Sequence, residues 1–189
     1  MSEILNLDKG QKVELTKTTP GLNKLVIGGG WDISKYTSSF DLDMSAFLLK
    51  AGKLASMSDV VFFGAKKHAS GCIELDKDNL TGEGEGDDEK VFVDLSKIPA
   101  DVNEVHFAIN IYQAAQKKQN FGMVSNAFIR VMDAGANNAV LIKYDLSEDY
   151  SINTGVMAGK IYRHDGGWKF QAIGTGINGS IQDIANTLV

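Results

Sequence analysis

A chain of 189 residues that is 43% hydrophobic and 23% charged is long enough for one domain with a real core, and its composition is not that of a disordered protein. Its net charge of −5, with no basic cluster larger than Lys117-Lys118, argues against nucleic acid as a main partner. No apolar run approaches the roughly 20 residues of a membrane span, no charged-then-apolar leader opens the chain, and the single cysteine, Cys72, can form no intramolecular disulfide, which together predict a reducing, cytoplasmic setting.

In chain order, Val13 and Leu15 alternate with polar neighbours, and Leu25-Val26-Ile27 runs into Gly28-Gly29-Gly30. The triple glycine suits phosphate cradling, but no Lys-Ser/Thr follows it as in a P-loop. Phe40, Leu42, Met44 and Ala46 alternate with Asp41, Asp43 and Ser45, followed by Phe47-Leu48-Leu49. In a strand Asp41 and Asp43 would share one face about 7 Å apart, given a rise of ~3.3 Å per residue. Aspartate is depleted from strand interiors. A pair on one face therefore points to a sheet meeting an ion, against the plainer reading of a wet edge-strand face. Trp31-Asp32 offers a third anchor.

Residues 60–63, 72–75 and 91–95 are short β-rich runs, and Val105, Phe107, Ile109 and Ile111 form a period-2 stripe in which His106 is expected to face water. Residues 128–131, 140–146, 156–162 and 168–173 bring the total to about ten strands. Separated by turn residues, these predict an all-β fold, an antiparallel sandwich or barrel. Asp165-Gly166-Gly167 is a hairpin turn signal. A short connecting helix is predicted over 113–119. A C-terminal helix is predicted over 180–188, with Ser180 as N-cap, Asp183 as its acidic partner, and Ile181, Ile184, Ala185 and Leu188 on one face. No internal repeat or linker divides the chain, so residues 1–189 read as a single domain.

The strongest chemical signal is the charge in residues 74–89, with eight of the chain's 24 acids and one lysine. The other 173 residues hold 16 acids against 18 bases. Carboxylates this dense repel one another unless a cation sits among them. Gly82, Gly84 and Gly86 let the backbone turn carbonyls inward. Acid, carbonyl and tight backbone together suit a hard cation with six to eight oxygen ligands. The EF-hand pattern fails, because counting from Asp76 places Leu80 and Thr81 where a ligand and a glycine belong. A solvated acidic loop is the bland alternative.

Other candidates are weaker. Residues 144–149 (Tyr-Asp-Leu-Ser-Glu-Asp) offer a further ligand or a plain turn. The G-x-G-x-x-G at 174–179 lacks the later strand and acid of a dinucleotide site and reads as a turn feeding the final helix. His68, His106 and His164 show no zinc spacing. Cys72 reads as a small buried hydrophobe, with no local signature of a Cys-His nucleophile.

The chain resembles the TerD family of tellurium-resistance and stress-response proteins. The resemblance spans about residues 7–189. It rests on Leu7-Asp8-Lys9-Gly10, Thr19-Pro20-Gly21-Leu22, Gly30-Trp31-Asp32, Phe40-Asp41-Leu42-Asp43, Asp78-Asn79, Thr81-Gly82-Glu83-Gly84, Gly86-Asp87-Asp88-Glu89, Gln119-Asn120-Phe121-Gly122, Asn126-Ala127-Phe128-Ile129-Arg130 and residues 144–149 and 159–164. It implies a β-sandwich that binds calcium, two ions of it, through Asp32, Asp41, Asp43, Asp78, Asn79, Gly82, Glu83, Glu85, Asp87, Asp88 and Glu89, with Gly82 acting through its carbonyl. The family is associated with resistance to tellurite and other stresses, phage inhibition and colicin tolerance. No catalytic residues carry over. The chain departs from the family's pattern at Ser39, at Leu80 and at Tyr112-Gln113.

The expectation is a cytoplasmic, calcium-binding stress-response protein and not an enzyme. Its candidate partners are calcium, other stress-response proteins and the inner membrane surface. A calcium-dependent module for an anionic ligand or membrane surface is the alternative, with a carboxylate or metal hydrolase behind it. An acidic site would repel the tellurite oxyanion unless cations intervene.

Overall fold

The computed structural model describes residues 4–33, 40–76, 86–146, 148 and 150–189. Its elements are β1 (Leu5–Leu7), β2 (Lys12–Glu14), β3 (Lys24–Ile33), β4 (Leu42–Lys50), β5 (Lys53–Leu54), β6 (Val60–Val61), β7 (Ile73–Leu75), β8 (Glu89–Asp94), β9 (Glu104–Ile111), α1 (Ala114–Lys117), β10 (Val124–Asp133), β11 (Ala139–Asp145), β12 (Gly155–His164), β13 (Gly167–Ile177) and α2 (Ile181–Asn186). They form two sheets. One runs β1-β11-β10-β3-β8-β7; the other runs β2-β13-β12-β9-β4-β5, with β6 also on β4. All pairings are antiparallel except β1 with β11. The predicted sandwich is therefore the observed fold. The short end strands β1 and β5 were not legible in the sequence, being only 3 and 2 residues long.

Between the sheets lies the main core, including Ile27, Trp31, Met44, Val91, Phe107 and Phe170. A second cluster covers the far side of the β4-containing sheet, where Phe47, Leu49 and Ala108 meet Ile181, Ile184 and Ala185 of α2. This rules out the plainer reading of a wet face beside Asp43, the alternative to a sheet that meets an ion. Leu42, Met44, Ala46 and Leu48 point to the main core, and Phe47 and Leu49 point to the second. On that second face Asp43 is 3% exposed and Ser45 is fully buried. His106, expected to face water, is half-buried, with its Nε2 2.7 Å from the Glu104 carboxylate that Lys160 Nζ also contacts.

Local signals held where chemistry is local. His164 pairs with Gly167 across Asp165 and Gly166, both with positive φ (47° and 74°), the two-residue turn that matches strand twist. In α2, Ser180 Oγ accepts from the Asp183 amide while Asp183 Oδ2 accepts from the Ser180 amide, a complete capping box. The connecting helix is shorter than predicted, ending where Lys118 turns left-handed (φ 52°). Residues 174–177 continue β13 against β12 and are not a turn; only Asn178 and Gly179 lead into α2.

Candidate metal centre

β3 does not stop at its glycines. It continues through Gly28, Gly29 and Gly30 to Ile33, and each missing side chain is filled from elsewhere. In register Gly28 lies between Lys90 of β8 and Arg130 of β10. A Cβ on Gly28 would fall inside van der Waals contact of the Asp87 carboxylate. The glycine lets Asp87 lie across β3 and reach Arg130, whose Nε donates to Asp87 Oδ1 at 2.5 Å. A Cβ on Gly30 would be 2.7 Å from the Gly86 carbonyl oxygen, and one on Gly29 would be 2.8 Å from Met44 Sδ in the core. The triplet is thus a seat for the end of the acidic segment and not a phosphate cradle.

Successive residues of that segment then alternate around the seat. The Asp87 side chain is 1% exposed, and its second oxygen, Oδ2, is buried with no hydrogen-bond partner among the described residues. Asp88 donates its amide to Gly29 O and accepts from the Trp31 amide at Oδ2, both at 2.8 Å. Burial pushes the Asp88 carboxyl above the usual range; the Trp31 hydrogen bond opposes this, and the neighbouring charges of Asp32 and Asp87 add to it. Glu89 opens β8, is 3% exposed, and accepts the Met44 amide at Oε2 at 2.5 Å. Met44 follows Asp43, so Glu89 ties the acidic segment to the Asp41/Asp43 strand of the opposite sheet.

The sequence-predicted residues are therefore only partly brought together. Asp43 is buried in β4, in register with Asn110 of β9, and the Asp41 carbonyl accepts the Tyr112 amide at 2.7 Å. Asp32 is exposed at the end of β3, where Asn126 Nδ2 donates to it at 2.7 Å, yet it remains close enough to raise Asp88. Asp78, Asn79, Gly82, Glu83 and Glu85 lie outside the described residues, as do Ser39 and Leu80. Among the described residues no three acidic, histidine or cysteine groups close a metal cage. What fits a hard cation here is the donor set: oxygen ligands only, one of them a buried carboxylate oxygen still open.

Sequence reasoning gave Arg130 and Met44 no part in the site, and offered Trp31 as an anchor beside Asp32 without its role as backbone donor to Asp88. Arg130 interrupts an apolar strand, a legible oddity, but its partner stands 43 residues away. The two backbone donors carry no side-chain signal at all. In the 144–149 segment, Glu148 is paired with Lys9 at 2.7 Å and Asp145 with Lys143 at 2.6 Å, so these acids serve surface ion pairs.

A second polar cluster lies elsewhere. His68 Nε2 is 3.3 Å from Asp59 Oδ1, and its Nδ1 is 2.8 Å from Ser70 Oγ and 3.7 Å from Cys72 Sγ. The order Asp-His-Cys resembles a nucleophilic relay. Cys72 is only 1% exposed, however, and burial pushes its thiol up, the wrong direction for a thiolate.

Comparison with known proteins gives consistent results. A family profile described as the TerD domain matches residues 4–188. General stress protein 16U of Bacillus subtilis is 52% identical over 184 residues, covering 96% of this chain and 95% of that protein. Tellurium resistance protein TerD of an Alcaligenes species is 42% identical over 182 residues, covering 95% and 94%. The crystal structure of a homologue of telluride resistance protein from Streptomyces coelicolor shares the fold, with a TM-score of 0.68 at 22% identity over 87% of this chain and 96% of that one.

Proposed function

The chain belongs to the TerD domain family of tellurium-resistance and general stress proteins, and we propose that within it this protein is a calcium-binding module. Support comes from the buried Oδ2 of Asp87, unpartnered among the described residues and held over Gly28 by Arg130. Burying a carboxylate oxygen without a donor is costly, and a divalent cation repays that cost. Asp88 and Glu89 follow it, each fixed by a backbone amide, and Asp41 and Asp43 stand on the strand that Glu89 reaches. Asp32 completes the described set. Asp78, Asn79, Glu83, Glu85 and the Gly82 carbonyl supply the remaining ligands, including those of a second ion.

On this reading calcium neutralises the acidic segment and pins it to both sheets, so that cation level sets how firmly one end of the sandwich is closed. The protein acts in the cytoplasm, where other stress-response proteins or an anionic surface such as the inner membrane would read that state. Hydrolysis is disfavoured, because Asp88 and Glu89 spend an oxygen each on backbone amides instead of facing a substrate cavity. No helix among the described residues is long and apolar enough to cross a membrane.

Calorimetric titration of chelator-treated protein with calcium should give saturable heat, and Asp87→Asn should weaken binding roughly tenfold or more by removing one ligand charge. Absence of calcium heat in the wild-type protein sinks the reading; equal affinity in the variant moves the ion away from Asp87.

A further inference from the structure

We infer that the outer face of the β4-containing sheet carries a second, unrelated binding site, for a small aromatic ligand bearing an N–H donor. A cavity of about 520 Å³ opens there between the loop after β6, α1 and the start of α2. That volume is within the range of small-molecule sites, and the walls are mostly apolar. Phe62, Phe63, Tyr112 and Ile181 line it. Phe63 stacks edge-on against both Phe62 (5.3 Å) and Tyr112 (5.2 Å), and is 36% exposed. Aromatic walls held in this way present ring faces to a flat guest.

The most deeply buried polar side chain of the lining is Asn110. It stands on the Ala108 row of β9, facing away from the main core, and it lines the cavity. It is 4% exposed, and its Oδ1 has no hydrogen-bond partner among the described residues. A buried amide oxygen without a donor is a rare and costly feature, and a ligand N–H aimed at it would relieve the cost.

Charge narrows the ligand class. Among the described residues the lining includes no lysine, arginine or histidine, and its one carboxylate is Asp183. Lys117, outside the lining, already holds its Nζ 5.3 Å from the Tyr112 ring, so the carboxylate of Asp183 and not that ring face is what favours a cation. The site therefore favours a neutral or cationic aromatic amine and rejects anions, tellurite among them. It needs no metal and stands apart from the calcium reading.

The test uses tryptamine and indole-3-acetate, which share a ring and differ in charge, titrated into the full chain labelled with nitrogen-15. Tryptamine should move the Asn110 side-chain amide resonances saturably, and indole-3-acetate should bind roughly tenfold more weakly or worse. Asn110→Leu should weaken tryptamine roughly tenfold. Ala115→Trp, at an exposed position of the cavity mouth, should do the same without touching the core. No saturable shift with tryptamine, equal affinity for the two probes, or tryptamine binding unchanged in a folded Asn110→Leu or Ala115→Trp protein overturns the inference.

Discussion

Gly28 matters for what occupies its empty side. An added methyl would collide with the Asp87 carboxylate, which is boxed in by Arg130 and by burial. Gly28→Ala should destabilise the protein by about 1–3 kcal/mol through overpacking, and should also reduce calcium heat in titration calorimetry. Unchanged heat and unchanged melting would show that Asp87 has room to move. A second residue-scale prediction concerns pH. Burial works to raise Glu104, but hydrogen bonds from Lys160 and His106 outweigh it and hold its carboxyl below the usual range. A depressed carboxylate contributes stability that is complete above its unfolded pKa and is lost as pH falls through the folded one. His106 is also depressed, chiefly by burial, so its protonation below its ordinary 6.5 opposes folding too. Acidification should therefore lower stability through both groups. Lys160→Met should cost about 1 kcal/mol at neutral pH, because the pair is partly screened by water. That deficit should narrow on acidification as Glu104 becomes protonated. Denaturation curves showing a constant deficit at every pH would remove the ion pair from the account.

At the scale of elements, α2 decides how β4 is read. Six residues are too few to be helical alone, so α2 depends on its capping box and its docking. Ser180→Ala should cost about 1 kcal/mol, and Ile184→Ala, 1% exposed against Phe47 and Leu49, about 2–5 kcal/mol. Hydrogen exchange should quicken in β4 in the Ile184 variant; protection equal to wild type would mean that the far face needs no cover. Ser180 and Asp183 announced this helix because a cap and its partner lie within one turn. Nothing within β4 announced the cover, because its hydrophobic partners come some 130 residues later in the chain. For the same reason the alternation of Asp41, Asp43 and Ser45 with apolar residues left a wet face standing as the plainer alternative to an ion site.

At the scale of the whole molecule, the two sheets converge on the acidic end. Glu89 reaches from one sheet to the Met44 amide of the other, and Asp87 reaches across β3 to β10. An ion gathered by these residues would bind only the folded chain. Calcium at about a hundred times its dissociation constant should therefore add about 2.7 kcal/mol. For a chain of this size that corresponds to roughly 5–10 °C in melting temperature. Scanning calorimetry with calcium and with chelator measures the difference, and coincident transitions would sever any link between the ion and the fold.

The sequence by itself determined most of the strands, the hairpin at Asp165-Gly166, the capped terminal helix and the concentration of acid in residues 74–89. These rest on periodicity, turn chemistry and charge, all properties of neighbours along the chain. Only the tertiary structure decided that the triple glycine seats Asp87 and that Arg130 answers it. It alone decided that Asp43 is buried and that Asn110 faces a cavity with its oxygen unanswered. Those outcomes depend on which strands lie side by side and what covers them, and contacts between residues far apart in the chain leave no local pattern to read.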